Sequence, residues 1–512
     1  MPLLLLLLLL AAELGHFHFP LPGAPIDPRI FAGRPAGERA AFLVVLREQA
    51  DLSGARALTD RDARRQFVYE SLRTLAEAAQ APLRSRLERA GVRYRAHYLV
   101  NMLEVEGDAS LARELAARDD VASLAGNRLA ALARPEAAAP RASPRASSDV
   151  AEPNIEKILA PELWARGFTG QGIVVGVADT GFLWNHPALI GRYRGAEGSH
   201  DYAWHDAVHD AGAGNTCGSD APAPCDDDGH GTGTAGLAVG DAGAGNRIGA
   251  APGATLIGCR NMDAGVGTPA RYTECFEWLL APTDSAGLNP RPDLGADVIN
   301  NSWTCPASEG CTDVDVLRLV VENVRAAGVA VVFAAGNAGS LVGGLPACFT
   351  VNEPPAIYDA AITVGATNLD DTIASFSSVG PVTVDGSDRL KPDLTAPGVA
   401  LRTSASTGGY ADAFTGTSGA APQVAGAVAL LWSAVPGLRA DVDRTEAALE
   451  LGAAALRIDA SCGGLSGEDV PNPVFGWGRL DAEGAYETLA PPRADPVVVG
   501  PRPLPRVVRP RP

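Results

Sequence analysis

The sequence predicts an α/β protein, with a mostly parallel central sheet, helices on both faces and a small α+β unit in front. Three observations predict it. Beyond residue 154, five apolar, β-branched runs each stop at small or polar residues. Helical stretches lie between them, and a strand covered on both faces reads as a continuous apolar run because neither face meets water. Upstream of residue 125, short alternating and helical segments suit a compact unit with a core of its own.

Taken in order, residues 1–20 predict a secretory leader. Pro2 to Ala12 holds eight consecutive leucines, far short of the about 20 apolar residues a spanning helix needs. No basic segment precedes the run and no clean A-x-A site follows it, so a leucine-rich buried helix is the competing reading. Residues 40–130 predict the small unit: an apolar strand Phe42 to Leu46, an arginine-rich helix from about Asp60 to Ala90, an alternating strand Tyr94 to Val105, a short helix Ser110 to Arg118 and a last strand Val121 to Leu124. Residues 131–153, with ARPEAAAPRASPRASSDVAEP, have almost nothing to bury and read as an exposed, cleavable linker.

In residues 154–490 the strands are IVVGVAD (173–179), TLIGC (255–259), DVINNSW (297–303), VAVVFAAGN (329–337) and AAITVGAT (360–367). Sites in such sheets form at the C-terminal ends of the strands. The tail, residues 491–512, is punctuated by proline and predicted to be unpacked. No internal repeat is found.

With 512 residues and 46% hydrophobic content, the chain can fill one large core and a smaller one. Its net charge of −18 is uneven: +2 over residues 1–150, −24 over 151–490 and +4 over 491–512. A region of −24 repels phosphate backbones, which argues against nucleic acid as a partner. Nothing points to a membrane partner either, and a monomer is expected. The eight cysteines, Cys217, Cys225, Cys259, Cys275, Cys305, Cys311, Cys348 and Cys462, lack metal-site spacing and suit disulfides in an oxidising compartment. Connectivity is not fixed by sequence. The short spacings favour 217–225, 259–275 and 305–311, which leaves 348–462.

Polar residues at the strand ends go beyond what packing requires: Asp179 in VADTGF, Asn301-Ser302 in VINNSW and Asn337 in VFAAGNAG. His230 in DDGHGTGTAG and Ser418 in FTGTSGAAP join them. A serine hydroxyl is a poor nucleophile unless an imidazole takes its proton, and the imidazole needs a carboxylate to fix its tautomer. Ser418 opens the apolar run GAAPQVAGAVALLW, a helix expected to be buried, with Pro422 in its first turn. An N–H at that helix start and the Asn337 amide could both donate to an oxyanion. Taken singly, Ser418 could be an N-cap, His230 a polar helix-start residue, and Asp179 and Asn337 turn formers.

The motifs DTGF, NHPAL, HGTGTAG, AAGN and GTSGAAP, in this order, resemble the subtilisin family of serine endopeptidases over about residues 154–490. The α/β-hydrolase order and its G-x-S-x-G elbow do not fit. CDDDGHGT, GNRIGAAPGA, CRNMDAGVGTPARYTECFEW, VINNSW and CPASEGC are similar to the bacillopeptidase F branch, which is secreted. Residues 42–125 resemble the family's inhibitory propeptide, which templates folding and is then cut off.

The resemblance implies Ser418 as nucleophile, His230 as general base and then acid, Asp179 as orienting carboxylate and Asn337 as oxyanion donor. It implies substrate binding at Ser302, Trp303, Thr304 and Gly336, with Trp303 walling the pocket, and inhibition of the chain by its own propeptide. The chemistry needs no cofactor. Structural calcium is common in the family, but Asp241 and Asn246 of the loop Gly240 to Arg247 are too few oxygen ligands, and Asp226-Asp227-Asp228 reads as a solvated loop. The sequence departs from the family at Gly233, Gly419 and Thr304: Gly419 is expected to loosen the floor beside the nucleophile, and Thr304 to crowd the peptide cleft. A retired protease fold that serves as a binding scaffold is the alternative function; an esterase is a further one.

Overall fold

A computed structural model describes residues 23–132, 134–135, 151–243, 247–306, 311 and 313–489. The leader, residues 136–150 of the linker, Asn246 and the tail lie outside these residues.

The first unit is a four-stranded antiparallel sheet under two helices. Its elements are β1 (Ala40–Leu46), α1 (Arg61–Arg89), β2 (Tyr94–His97), β3 (Met102–Gly107), α2 (Ala109–Ala116) and β4 (Val121–Gly126), with strand order β2-β3-β1-β4. The apolar run of β1 serves two cores. Phe42, Val44 and Leu46 face the unit's own core with Leu83 and Leu87 of α1, whereas Leu43 and Val45 face the core of the large sheet. The stretch predicted as one strand, Tyr94 to Val105, is two: β2 and β3 pair as a hairpin, Tyr94 opposite Val105. The reason lies elsewhere in the chain, where Glu277 accepts the turn amides of Tyr98 (2.5 Å) and Leu99 (2.9 Å).

The large unit is built on seven parallel strands. These are β5 (Val174–Asp179), β6 (Trp204–Asp206), β7 (Thr255–Arg260), β8 (Val298–Asn301), β9 (Ala330–Ala334), β10 (Ile362–Thr367) and β11 (Leu394–Pro397), ordered β11-β10-β9-β8-β5-β7-β6. The edge strands β6 and β11 were not predicted, since WHD and LTAP are short, and polar or ending in proline. The longer helices around the sheet are α3 (His230–Val239), α4 (Pro269–Leu280), α5 (Arg318–Ala326), α6 (Thr417–Ala434) and α7 (Val442–Gly452), and the shorter helices Pro153–Lys157, Ala160–Ala165 and Ala482–Leu489 add to its core. Val175, Val298 and Val332 share a core with α3 and α6; their neighbours Val174, Ile299 and Val331 share the other with α4 and α5. Side chains alternating between two covered faces explain the unbroken apolar runs. In α6 every residue from Thr417 to Trp432 is buried.

The disulfides are Cys217–Cys225, Cys259–Cys275, Cys305–Cys311 and Cys348–Cys462. No helix among the described residues is long and apolar enough to cross a membrane.

Candidate active site

Asp179 ends β5, and His230 is the first residue of α3. His230 Nδ1 lies 2.7 Å from Asp179 Oδ1, and both side chains are buried. Two glycine-dependent contacts allow this approach. Gly229 has φ +96°, and a Cβ on Gly231 would fall 2.0 Å from the Gly181 carbonyl oxygen. Asp179 also accepts the Thr180 amide (2.8 Å) and the Thr234 hydroxyl (3.2 Å), which fix its carboxylate. Burial alone would lower the His230 pKa; the Asp179 carboxylate outweighs it and holds the imidazole above its ordinary value.

Asp226 was read as part of a solvated loop, and the structure corrects this. It accepts from Thr180 Oγ1 (2.8 Å), Gly229 N (2.7 Å), Thr232 N (2.9 Å) and Thr232 Oγ1 (2.5 Å), so it staples the end of β5 to the start of α3. Asp227 accepts from Arg260 (2.6 Å) and the Ala264 amide (3.0 Å). Asp228 accepts the His230 amide (3.2 Å) and pairs with Arg134. All three carboxylates thus meet protein donors. Asp241 accepts the Gly243 amide (2.8 Å).

Ser418 is the second residue of α6, and Gly416 is the N-cap, so Ser418 does not cap the helix. Gly416 has φ +148°, and a Cβ built there would lie 2.7 Å from Ser418 Oγ and 3.6 Å from Asn337 Nδ2. Serine hydroxyl and asparagine amide therefore border one small space, kept open by glycine. Asn337 Oδ1 accepts Thr417 N and Thr417 Oγ1, both at 3.0 Å, which turns Nδ2 to the other side. Gly336 before it has φ +102°, and its carbonyl accepts the Ser378 amide at 3.0 Å. The helices α3 and α6, whose first turns carry His230 and Ser418, pack against each other. Among the described residues no hydrogen bond joins the His230 ring to Ser418 Oγ; such contacts often close only when substrate binds.

Pro422, expected in the first turn, is the sixth residue of α6. Its missing N–H would have bonded to the Ser418 carbonyl four residues back. Ser302 Oγ donates to that carbonyl instead, at 2.9 Å, and itself accepts from Asn300 Nδ2 at 2.9 Å. Ser302 thus touches the backbone of Ser418. Trp303 is buried, stacked on Tyr272 with centroids 3.9 Å apart and donating to the Ala178 carbonyl at 3.0 Å, so its side chain walls no open pocket. Thr304 donates to Glu353 Oε2 at 2.5 Å.

The glycine departures have a common cause in the hairpin Leu401–Ser404 and Tyr410–Phe414. A Cβ on Gly233 would meet Phe414 at 2.6 Å, and one on Gly419 would meet Leu401 at 2.9 Å and Phe414 at 3.4 Å. The floor expected to be loose at Gly419 is filled by these side chains. Phe414 also lies 5.4 Å, ring to ring, from His230.

Sequence reasoning missed the strand that binds an extended segment. Val266–Gly267 pairs antiparallel with Ala130–Ala131, and Leu132 N donates to the Gly265 carbonyl at 2.7 Å. Two residues on, Arg134 reaches Asp228 beside His230. It also missed Asp297, Glu274 and Glu277, which hold the first unit. Asp297, fully buried, pairs with Arg61 (2.6 Å), Arg65 (3.1 Å) and Arg439 (2.7 Å). Glu277 meets His97 Nδ1 at 3.2 Å, and Glu274 meets Arg95 at 3.0 Å. No local pattern marks a carboxylate as the partner of an arginine 200 residues away.

Residues 170–478 match the family described as the Subtilase family, peptidase S8. Bacillopeptidase F of Bacillus subtilis (strain 168) is 37% identical over 351 residues, 67% of this chain and 22% of that protein. Serine protease AprX of the same organism is 34% identical over 297 residues, 53% of this chain and 60% of that protein. Subtilisin NAT of Bacillus subtilis subsp. natto is 32% identical over 283 residues, 55% of this chain and 61% of that protein. The chain thus spans 22% of the first of these relatives and about three fifths of the other two.

Proposed function

Since the chain belongs to the subtilase family, we propose that it is a serine endopeptidase made as a self-processing zymogen and secreted to an extracellular or periplasmic compartment. Ser418 Oγ attacks the peptide carbonyl, and His230 takes its proton on Nε2, because Nδ1 is engaged by Asp179. The tetrahedral oxyanion is held by Asn337 Nδ2 and the Ser418 amide. His230 then protonates the leaving amine, and water admitted to the same position hydrolyses the acyl-enzyme. Subtilases need no cofactor for these steps.

The observation that carries this reading is the buried His230–Asp179 hydrogen bond beside a glycine-lined space bordered by Ser418 Oγ and Asn337 Nδ2. The zymogen reading is supported by the docking of residues 40–126 on α4, by the pairing of Ala130–Ala131 with Val266–Gly267, and by the ion pair of Arg134 with Asp228 beside His230. The four disulfides support an oxidising compartment.

Ser418→Ala tests it. The variant is expected to leave the precursor uncut, take no label from a fluorophosphonate and lose casein hydrolysis. Labelling equal to wild type would exclude Ser418 as nucleophile.

A further inference from the structure

We infer that Phe414 is a positioning residue for the proposed proton transfer: its ring holds the His230 imidazole in line with Ser418. The inference rests on the endopeptidase reading and concerns the same site. The hydrogen bond between His230 Nδ1 and Asp179 fixes one edge of the imidazole and leaves the ring able to tilt about that bond. Packing must supply the remaining constraint. The Phe414 ring lies 5.4 Å from the imidazole, centroid to centroid, with the two planes 40° apart. Phe414 is half-buried where His230 is buried, so its ring forms part of the imidazole's cover.

Both helices of the site hold this ring in turn. Gly233 stands one turn after His230 on the same face of α3, and a Cβ there would fall 2.6 Å from the Phe414 ring. Gly419 directly follows Ser418, and a Cβ there would fall 3.4 Å from the ring and 2.9 Å from Leu401. The hairpin that carries the ring is bonded to α3: Thr403 Oγ1 donates to the Gly233 carbonyl at 2.6 Å, and Ser404 Oγ to the Thr232 carbonyl at 2.7 Å. Its other end runs into α6. Phe414 lies two residues before the cap Gly416, whose amide donates to the Gly398 carbonyl at 2.9 Å. Hydrogen bonds therefore fix the ring relative to His230, and a short stretch of chain fixes it relative to Ser418. A base displaced by about 1 Å can lose about a hundredfold in rate, so the weight of this contact falls on the chemical step.

The test follows fluorophosphonate labelling of protein matured from the full chain, at several probe concentrations. This separates the limiting rate of bound probe from the half-saturating concentration; casein turnover is measured beside it. In Phe414→Ala the limiting rate is expected to fall about tenfold or more while the half-saturating concentration stays within about twofold. Casein turnover should fall in step. Phe414→Tyr keeps the ring and should stay near wild type. Gly233→Ala, favourable in a helix interior by propensity, drives a methyl group at the ring and should lower the limiting rate. Added to Phe414→Ala it should cost nothing more, because the ring it displaces is gone. Where Phe414→Ala does not fold, Phe414→Leu takes its place in both comparisons. A limiting rate of wild-type size without the ring, a change confined to the half-saturating concentration, or losses that add in the double variant overturn the inference alone. A wild type that takes no label and cleaves no casein overturns the endopeptidase reading with it.

Discussion

Pro422 and Ser302 form a compensated pair at Ser418. The proline frees the Ser418 carbonyl from the helix ladder, and the Ser302 hydroxyl fills the vacancy at 2.9 Å. Ser302→Ala should therefore cost about 1–3 kcal/mol by leaving a buried acceptor unmet. Adding Pro422→Ala restores an N–H to that carbonyl and should recover part of the loss; denaturant melts of the four proteins give the coupling directly. At His230 the sign of the pH dependence follows from the raised pKa. In the proposed reaction His230 is the base and must be neutral, so activity should fall as pH drops, along a limb that lies above the ordinary histidine value. Asp179→Asn removes the carboxylate that raises it, so the limb should move down while kcat drops about 10⁴-fold, read from pH–rate profiles of both proteins.

The helix α1 shows how an element can serve two masters. Its C-terminal half packs on its own sheet through Leu83 and Leu87, while Val68 and Leu72 join the core under the large sheet. Arg61 and Arg65 then deliver their charges to Asp297, which Arg439 meets from the other side. Asp297→Asn keeps the shape but leaves three guanidinium groups facing a neutral amide. The expected loss is about 3–5 kcal/mol in the full chain, measured by urea unfolding. Glu277 has a comparable role, holding two turn amides and His97 of the hairpin β2–β3. In matured protein, Glu277→Ala should weaken inhibition by added residues 23–132 by about 30-fold or more. Unaltered inhibition would mean that the hairpin turn contributes nothing to docking. The core-facing strands and α6 were legible because apolar runs and small residues carry their own signal. The split of residues 94–105 was not, because the glutamate that shapes the turn lies about 180 residues away.

At the scale of the whole molecule, two units share one apolar core and one bond closes a distant loop. Cys348–Cys462 spans 114 residues, and its removal as Cys348→Ala/Cys462→Ala should cost up to about 4–5 kcal/mol through loop entropy in the unfolded chain. Ala130–Ala131 pairs with Val266–Gly267 and Arg134 pairs with Asp228, two residues before His230, so this strand lies close to the groups proposed to react. Mass spectrometry of the matured chain should find its N-terminus at residues 133–134. A terminus only at 140–153 would mean that this segment is not the one cut.

The sequence by itself determined the sheet class, favoured the cysteine pairing that the structure carries, and picked out the four groups proposed for the site. These depend on residues whose chemistry is unusual for their local surroundings: a lone serine at a glycine-flanked helix start, a histidine before small residues, an aspartate ending an apolar strand. Only the tertiary structure decided what lies between them: Phe414 filling the space over two glycines, Ser302 replacing a bond that proline removes, three arginines around Asp297, and Glu353 beside Thr304. Such contacts join residues tens to hundreds of positions apart, and their energy depends on distance and burial, which chain order does not contain.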